Sequence, residues 1–142
     1  MTVRPIQPEE LPACFEVRVR VFVDEQKVPF EEEIDAYDGV AQHFAALDDD
    51  GKVVGTARLI DAGDGIGKVG RVAVLPEARG KGSGRELMLC VMRDGYQRFH
   101  TLKLDAQLQV IPFYENLGFV AEGEVFLDAG IEHRLMKRRK DI

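Results

Sequence analysis

Arg71-Val72-Ala73-Val74-Leu75-Pro76-Glu77-Ala78-Arg79-Gly80-Lys81-Gly82-Ser83-Gly84 reads as an apolar strand, a proline stop, a basic glycine-punctuated loop and the start of a helix. Glycine at 80, 82 and 84 lets consecutive backbone N–H groups turn toward one point. The helix that follows adds unpaired N–H groups and the positive end of its dipole. Together these make a cradle for an anion, and a diphosphate fits it. Two familiar phosphate motifs are excluded by order. A Walker loop needs Gly-Lys-Ser/Thr, but here Lys81 precedes Gly82-Ser83. A dinucleotide fingerprint counted from Gly80 requires glycine where Arg85 stands. The bland alternative is a glycine turn that only caps a helix.

Outward from the loop, the elements follow from periodicity. Val69 to Leu75 is the entering strand, with Val72 and Val74 on one face. After Gly84, Leu87, Met88, Val91, Met92 and Phe99 form one apolar stripe of a helix, and the methionines read as core filler. Leu102, Leu104, Ala106 and Leu108 alternate with polar residues as a half-buried strand. Strand, helix, strand implies a right-handed crossover and a parallel pair. Val110 to Phe119 is a short helix with a glycine cap at Gly118. Val120 to Leu127 and Ile131 to Met136 make a closing hairpin around Asp128-Ala129-Gly130. Lys137-Arg138-Arg139-Lys140 reads as a solvated chain end.

Toward the N-terminus, Thr2 to Ile6 is a short strand. His43 to Leu47 and Val53 to Ile60 pair across an Asp48–Gly51 turn, and Asp61 to Gly65 forms the next turn. Residues 9–23 carry two signals. Leu11, Phe15 and Phe22 suit one helical face, whereas Val17, Val19 and Val21 alternate with arginines as in a strand. Val23 to Asp35 has no sustained period and reads as loop with one short helix.

At 142 residues the chain is expected to be a single domain, 1–142, with a real core. No apolar run is long enough to span a bilayer, and the N-terminus has no signal-peptide character. Cys14 and Cys90 fall in two predicted helices, with neither metal spacing nor a disulfide framework. A cytoplasmic setting and no metal are expected. A net charge of −6 argues against a nucleic-acid partner. Carboxylates crowd Asp24 to Asp50, where only Lys27 offsets their charge. They read either as a solvated face or as an acidic rim that draws a cationic amine.

Arg79-Gly80-Lys81-Gly82-Ser83-Gly84 resembles the acetyl-CoA pyrophosphate loop, Arg/Gln-x-x-Gly-x-Gly/Ala, of the GCN5-related N-acetyltransferases, the GNAT family. Val21-Phe22-Val23-Asp24-Glu25-Gln26-Lys27-Val28-Pro29, the acids after it and His43 are similar to the ElaA/YjcF-like branch of that family. So is Phe126-Leu127-Asp128-Ala129-Gly130-Ile131-x-His133. The resemblance covers nearly the whole chain. It implies an α+β fold: a mixed, mostly antiparallel sheet with one splayed parallel pair and helices on both faces. It favours the helical reading of 9–23.

It also implies acetyl-CoA as co-substrate and acyl transfer to a small-molecule or protein amine, with neither nucleic acid nor membrane as partner. Homodimerisation is compatible with the fold, though no residue points to it. Arg79, Gly80, Lys81, Gly82, Ser83 and Gly84 would hold the pyrophosphate. Val72, Ala73 and Val74 would present backbone groups to the pantetheine arm and a donor to the oxyanion, and Gln107 would line the opposite wall. Tyr114, in Tyr-x-x-x-Gly-Phe, would be the acid at the leaving sulfur. Many relatives carry a glutamate on the entering strand, but Lys68-Val69-Gly70-Arg71 has none. Glu25 and His43 are then the nearest base candidates, with His133 and Asp35 weaker. Without a base, the chain reads instead as an acyl-CoA-binding sensor with little catalysis.

Overall fold

The computed structural model describes residues 1–141. Among them, seven strands form one sheet: β1 (Thr2–Pro5), β2 (Gln42–Leu47), β3 (Val53–Asp61), β4 (Ile66–Val74), β5 (Thr101–Gln107), β6 (Val120–Asp128) and β7 (Ile131–Arg139). Their order is β1-β2-β3-β4-β5-β7-β6, antiparallel throughout except for parallel β4 and β5. The α-helices are α1 (Leu11–Arg18), α2 (Phe30–Glu33), α3 (Ser83–Gly95) and α4 (Ile111–Glu115). This is the mixed sheet with one parallel pair that the sequence led us to expect.

Alternation along β3 shows that helices cover both faces. A Cβ at Gly55 would lie 3.0 Å from Leu87 of α3. Arg58, on the opposite face, meets Arg18 of α1 at Asp38. The α3 stripe of Leu87, Met88, Val91 and Met92 is buried, joined by Phe99. The loop-lining of the core is tight at Gly67, where a Cβ would sit 2.6 Å from Phe99.

The segment after β1 is helical. α1 runs directly into π-helical turns at Val19–Glu25. Its buried residues are Cys14, Val17, Arg18 and Val21, a helical spacing. Leu11, Phe15 and Phe22 flank that face rather than form it, because they are only half-buried. The strand-like alternation arose because Arg18, polar by type, is fully buried. Glu33 and Asp38 neutralise it there, at 2.9 and 2.7 Å.

Two strands extend beyond their expected ends. β4 begins at Ile66, where Gly67 had hidden the alternation. β7 runs through Arg139, so the basic run 137–139 is ladder rather than free tail. Arg138 donates to the Leu117 carbonyl at 2.9 Å and lies over the Tyr96 ring.

The parallel ladder is short. Ile66, Gly67 and Lys68 pair with Thr101, Leu102 and Lys103, and pairing ends there. Lys68 and Asp105 form an ion pair at 3.3 Å just beyond the last rung. β4 then departs further at a bulge: Thr56 and Arg58 of β3 face Ala73 and Gly70, which leaves two β4 residues opposite one. Arg71 within it has φ 53°, a left-handed conformation disfavoured in a non-glycine residue.

Candidate active site

The divergence of β4 and β5 opens a cleft of about 1450 Å³. Its walls include Val72, Ala73 and Val74 of β4, Leu104 to Gln107 of β5, the glycine loop, Tyr114 and His133. On the side facing β5, the backbone of Val72 to Val74 has no strand partner among the described residues, since the ladder stops at Lys68. Such groups need a polar guest or water.

At one end lies the glycine loop. Gly80 and Gly82 have φ of 80° and 82°, and Gly82 is the N-cap of α3. No backbone acceptor is found, among the described residues, for the N–H groups of residues 80–85. Orphan amides at a helix N-terminus are a common seat for an anion. Side-chain charge is distributed differently from the sequence expectation. The Arg79 guanidinium binds both oxygens of Glu25 at 2.8 and 2.6 Å, and its Nε donates to the Val74 carbonyl. The Arg79 hydrogen bonds hold Glu25 below the usual carboxylate range.

Lys81 and Arg85 have no carboxylate partner among the described residues, and Arg85 lines the cleft. Sequence reasoning passed over Arg85. The available signal was a cation in the first turn of a helix, against the dipole, which is favourable when an anion sits there.

Tyr114 on α4 is buried, packed edge-on against Phe113 and Phe119. Its hydroxyl has no protein partner among the described residues, yet it is not sealed from the cleft. Burial pushes its pKa up to about 12. Gln107 lies at the end of β5, where its amide nitrogen donates to Gln26 at 2.8 Å and its oxygen accepts from Gln109 at 2.6 Å.

The structure does not bring His43 to this cleft. His43 is on β2 with Nε2 2.9 Å from the Asp38 carbonyl, and its Nδ1 is buried without a partner among the described residues. Tyr114, Glu25 and Gln107 do line the one cleft.

The acids between Asp24 and Asp50 serve in part a purpose that neither sequence reading foresaw. Glu33, Asp35 and Asp38 meet Arg18, Arg58 and Arg71 in a largely buried ion network. Asp38 is held at about 2: burial would raise it, but Arg18, the Asp35 backbone N–H and Arg58 outweigh that. Burial pushes Glu33 upward against the same arginines. Arg71 also binds the Glu33 carbonyl, so the network fastens the α2 segment over the β4 bulge. Glu31 and Glu32 remain exposed at the lip.

A family model described as an acetyltransferase (GNAT) domain matches residues 10–140. The Bacillus subtilis (strain 168) protein named "Uncharacterized N-acetyltransferase YjcF" is 40% identical over 134 residues, covering 92% of this chain and 93% of that one. An acyl-CoA N-acyltransferase structure from Pseudomonas aeruginosa is 34% identical, with TM-score 0.83 and coverage of 96% and 97%. The structure of Escherichia coli ElaA is 27% identical, with TM-score 0.86 and coverage of 98% and 100%. The splayed strands, the amide cradle and these likenesses agree: the chain belongs to the GNAT family and is an acyltransferase.

Proposed function

We propose that this enzyme moves an acetyl group from acetyl-CoA to a primary amine by direct attack inside the cleft. The carrying observation is that Gly80, Gly82, Ser83, Gly84 and Arg85, whose amides find no backbone acceptor among the described residues, line one cavity together with Tyr114. Acetyl-CoA supplies an activated thioester. Gly80 to Arg85 hold its diphosphate, with Lys81 and Arg85 adding charge. Val72 to Val74 hydrogen-bond the pantetheine amides, and an N–H there faces the oxygen that gains charge. Gln107 forms the opposite wall.

Tyr114 acts at the sulfur as a hydrogen-bond donor. A phenol at about 12 is a weaker acid than a thiol near ~8.5, so full transfer would be uphill by roughly 5 kcal/mol. The hydroxyl steadies the leaving thiolate, and the proton finally comes from solvent. We give the base role to neither Glu25 nor His43. Both Glu25 oxygens are bound to Arg79, and the His43 lone pair lies outside the cleft. Those engagements favour a second reading, an acyl-CoA-binding module with little turnover.

The test is thiol release from acetyl-CoA with primary alkylamines, spermidine and lysine-containing peptides, for wild type and Tyr114→Phe. Amine-dependent release, reduced in the variant, supports the transferase. Tight acetyl-CoA binding with no amine-dependent release by wild type supports the binder.

A further inference from the structure

An alkyl ammonium with pKa near ~10.4 must lose a proton before it can attack. His133, which lines the cleft, has a lone pair free to take it. His133 on β7 is 8% exposed, and its Nδ1 lies 2.7 Å from the Ile131 carbonyl oxygen. A carbonyl oxygen only accepts, so Nδ1 carries the hydrogen and Nε2 of the neutral ring carries the lone pair. Nε2 has no protein partner among the described residues, and unlike Nδ1 of His43 it is not sealed from solvent. The ring stacks on Phe126, centroids 5.8 Å apart and planes 21° from parallel, which fixes the direction of Nε2. In the ladder His133 stands opposite Gln107, the last residue of β5, and both line the cleft.

We infer that His133 is the catalytic base for the acceptor amine, an inference that rests on the transferase reading above. Nε2 takes one proton from the alkyl ammonium and passes it to solvent, and the neutral amine nitrogen then bonds to the thioester carbonyl carbon. The C–S bond breaks with its electron pair on sulfur, beside Tyr114. The proton left on the new amide nitrogen passes through solvent to the thiolate, so ammonium and thioester become amide, thiol and one released proton. The Ile131 carbonyl both selects the tautomer and stabilises the imidazolium, as an orienting acceptor does for other catalytic histidines.

His133→Asn keeps an amide donor near the Ile131 carbonyl and removes the base. His133→Gln places an amide near Nε2 and is the second variant should the first fold poorly. Acetyl-CoA affinity is measured by calorimetry. Thiol release is measured with the best primary alkylamine of the panel and with hydroxylamine, which is mostly neutral at pH 7. The expected result is a loss of about 100-fold with the alkylamine, less than about tenfold with hydroxylamine, and affinity within about threefold of wild type. Rates within about fivefold of wild type in either folded variant overturn the role of His133 and leave the transferase reading intact. Equal losses with both amines, or lost acetyl-CoA binding, make His133 structural and overturn it too. Absence of amine-dependent release in wild type overturns the transferase reading itself, and this inference with it.

Discussion

The guanidinium of Arg79 closes on both carboxylate oxygens of Glu25, at 2.8 and 2.6 Å, so the basic residue that opens the glycine loop is already matched by an acid. The pair is about two-fifths exposed on each side, so it contributes less than about 1 kcal/mol to folding. Its larger effect is on the charge offered to an anion. Glu25→Gln frees that charge, and coenzyme A should bind the variant two- to tenfold more tightly in low salt, by calorimetry. Weaker binding would mean that the pair supports the shape of the loop rather than limiting its charge.

Gly82 and Gly84 should respond to alanine in opposite ways. Gly82 has φ 82° with open space around a Cβ, so alanine there meets backbone strain alone, roughly 1–2 kcal/mol. Gly84 lies inside α3 with ordinary φ, and a Cβ would rest 3.6 Å from Phe113 in normal contact. Alanine there should raise thermal stability slightly, by up to about 1 kcal/mol. If the amides cradle a diphosphate, that same methyl crowds the guest. Gly84→Ala should therefore melt no lower than wild type and bind coenzyme A at least tenfold more weakly. Unchanged binding would reduce the loop to a helix cap.

Tyr114→Phe should leave the melting temperature within about 2 °C, because the hydroxyl has no protein partner to lose among the described residues. The amine-dependent rate should fall by about 10- to 100-fold. With the phenol pushed up to about 12, wild type should show no rate limb from Tyr114 below pH 10.

The Asp38 network predicts a pH signature. A carboxyl lowered to about 2 in the fold, from ~3.9 unfolded, adds stability that is complete above pH ~4 and lost as pH falls toward 2. Asp38→Asn leaves Arg18 and Arg58 short of a charge and should cost roughly 3 kcal/mol or more at pH 7. The gap between wild type and variant, from urea unfolding, should shrink between pH 4 and pH 2.5. A gap constant with pH would mean that the contribution is packing, not charge.

These residues also mark what the sequence could convey. Strand, loop and helix at 71–95 were legible because glycine positions and apolar spacing are local signals. The helix at 11–18 was obscured by Arg18, whose burial depends on Glu33 and Asp38, fifteen and twenty residues away. The acidic stretch was misjudged for the same reason: an ion pair across the fold leaves no periodic trace. Tyr114 was reachable only through the family segment. The case for His133 depends on which ring nitrogen meets Ile131 and on the accessibility of the other, neither of which a sequence records.

The short ladder between β4 and β5 has a mechanical consequence. Among the described residues, three residue pairs are the only direct rungs joining β1–β4 to the β5–β7–β6 block across that seam. The sheet resembles two leaves of a book with a short spine, where few hydrogen bonds oppose opening along the seam. Pantetheine amides bridging Val72–Val74 to the β5 side would act as added rungs. Amide hydrogen exchange along β4 beyond Lys68 should then slow on coenzyme A binding, while exchange in β2 stays as it was.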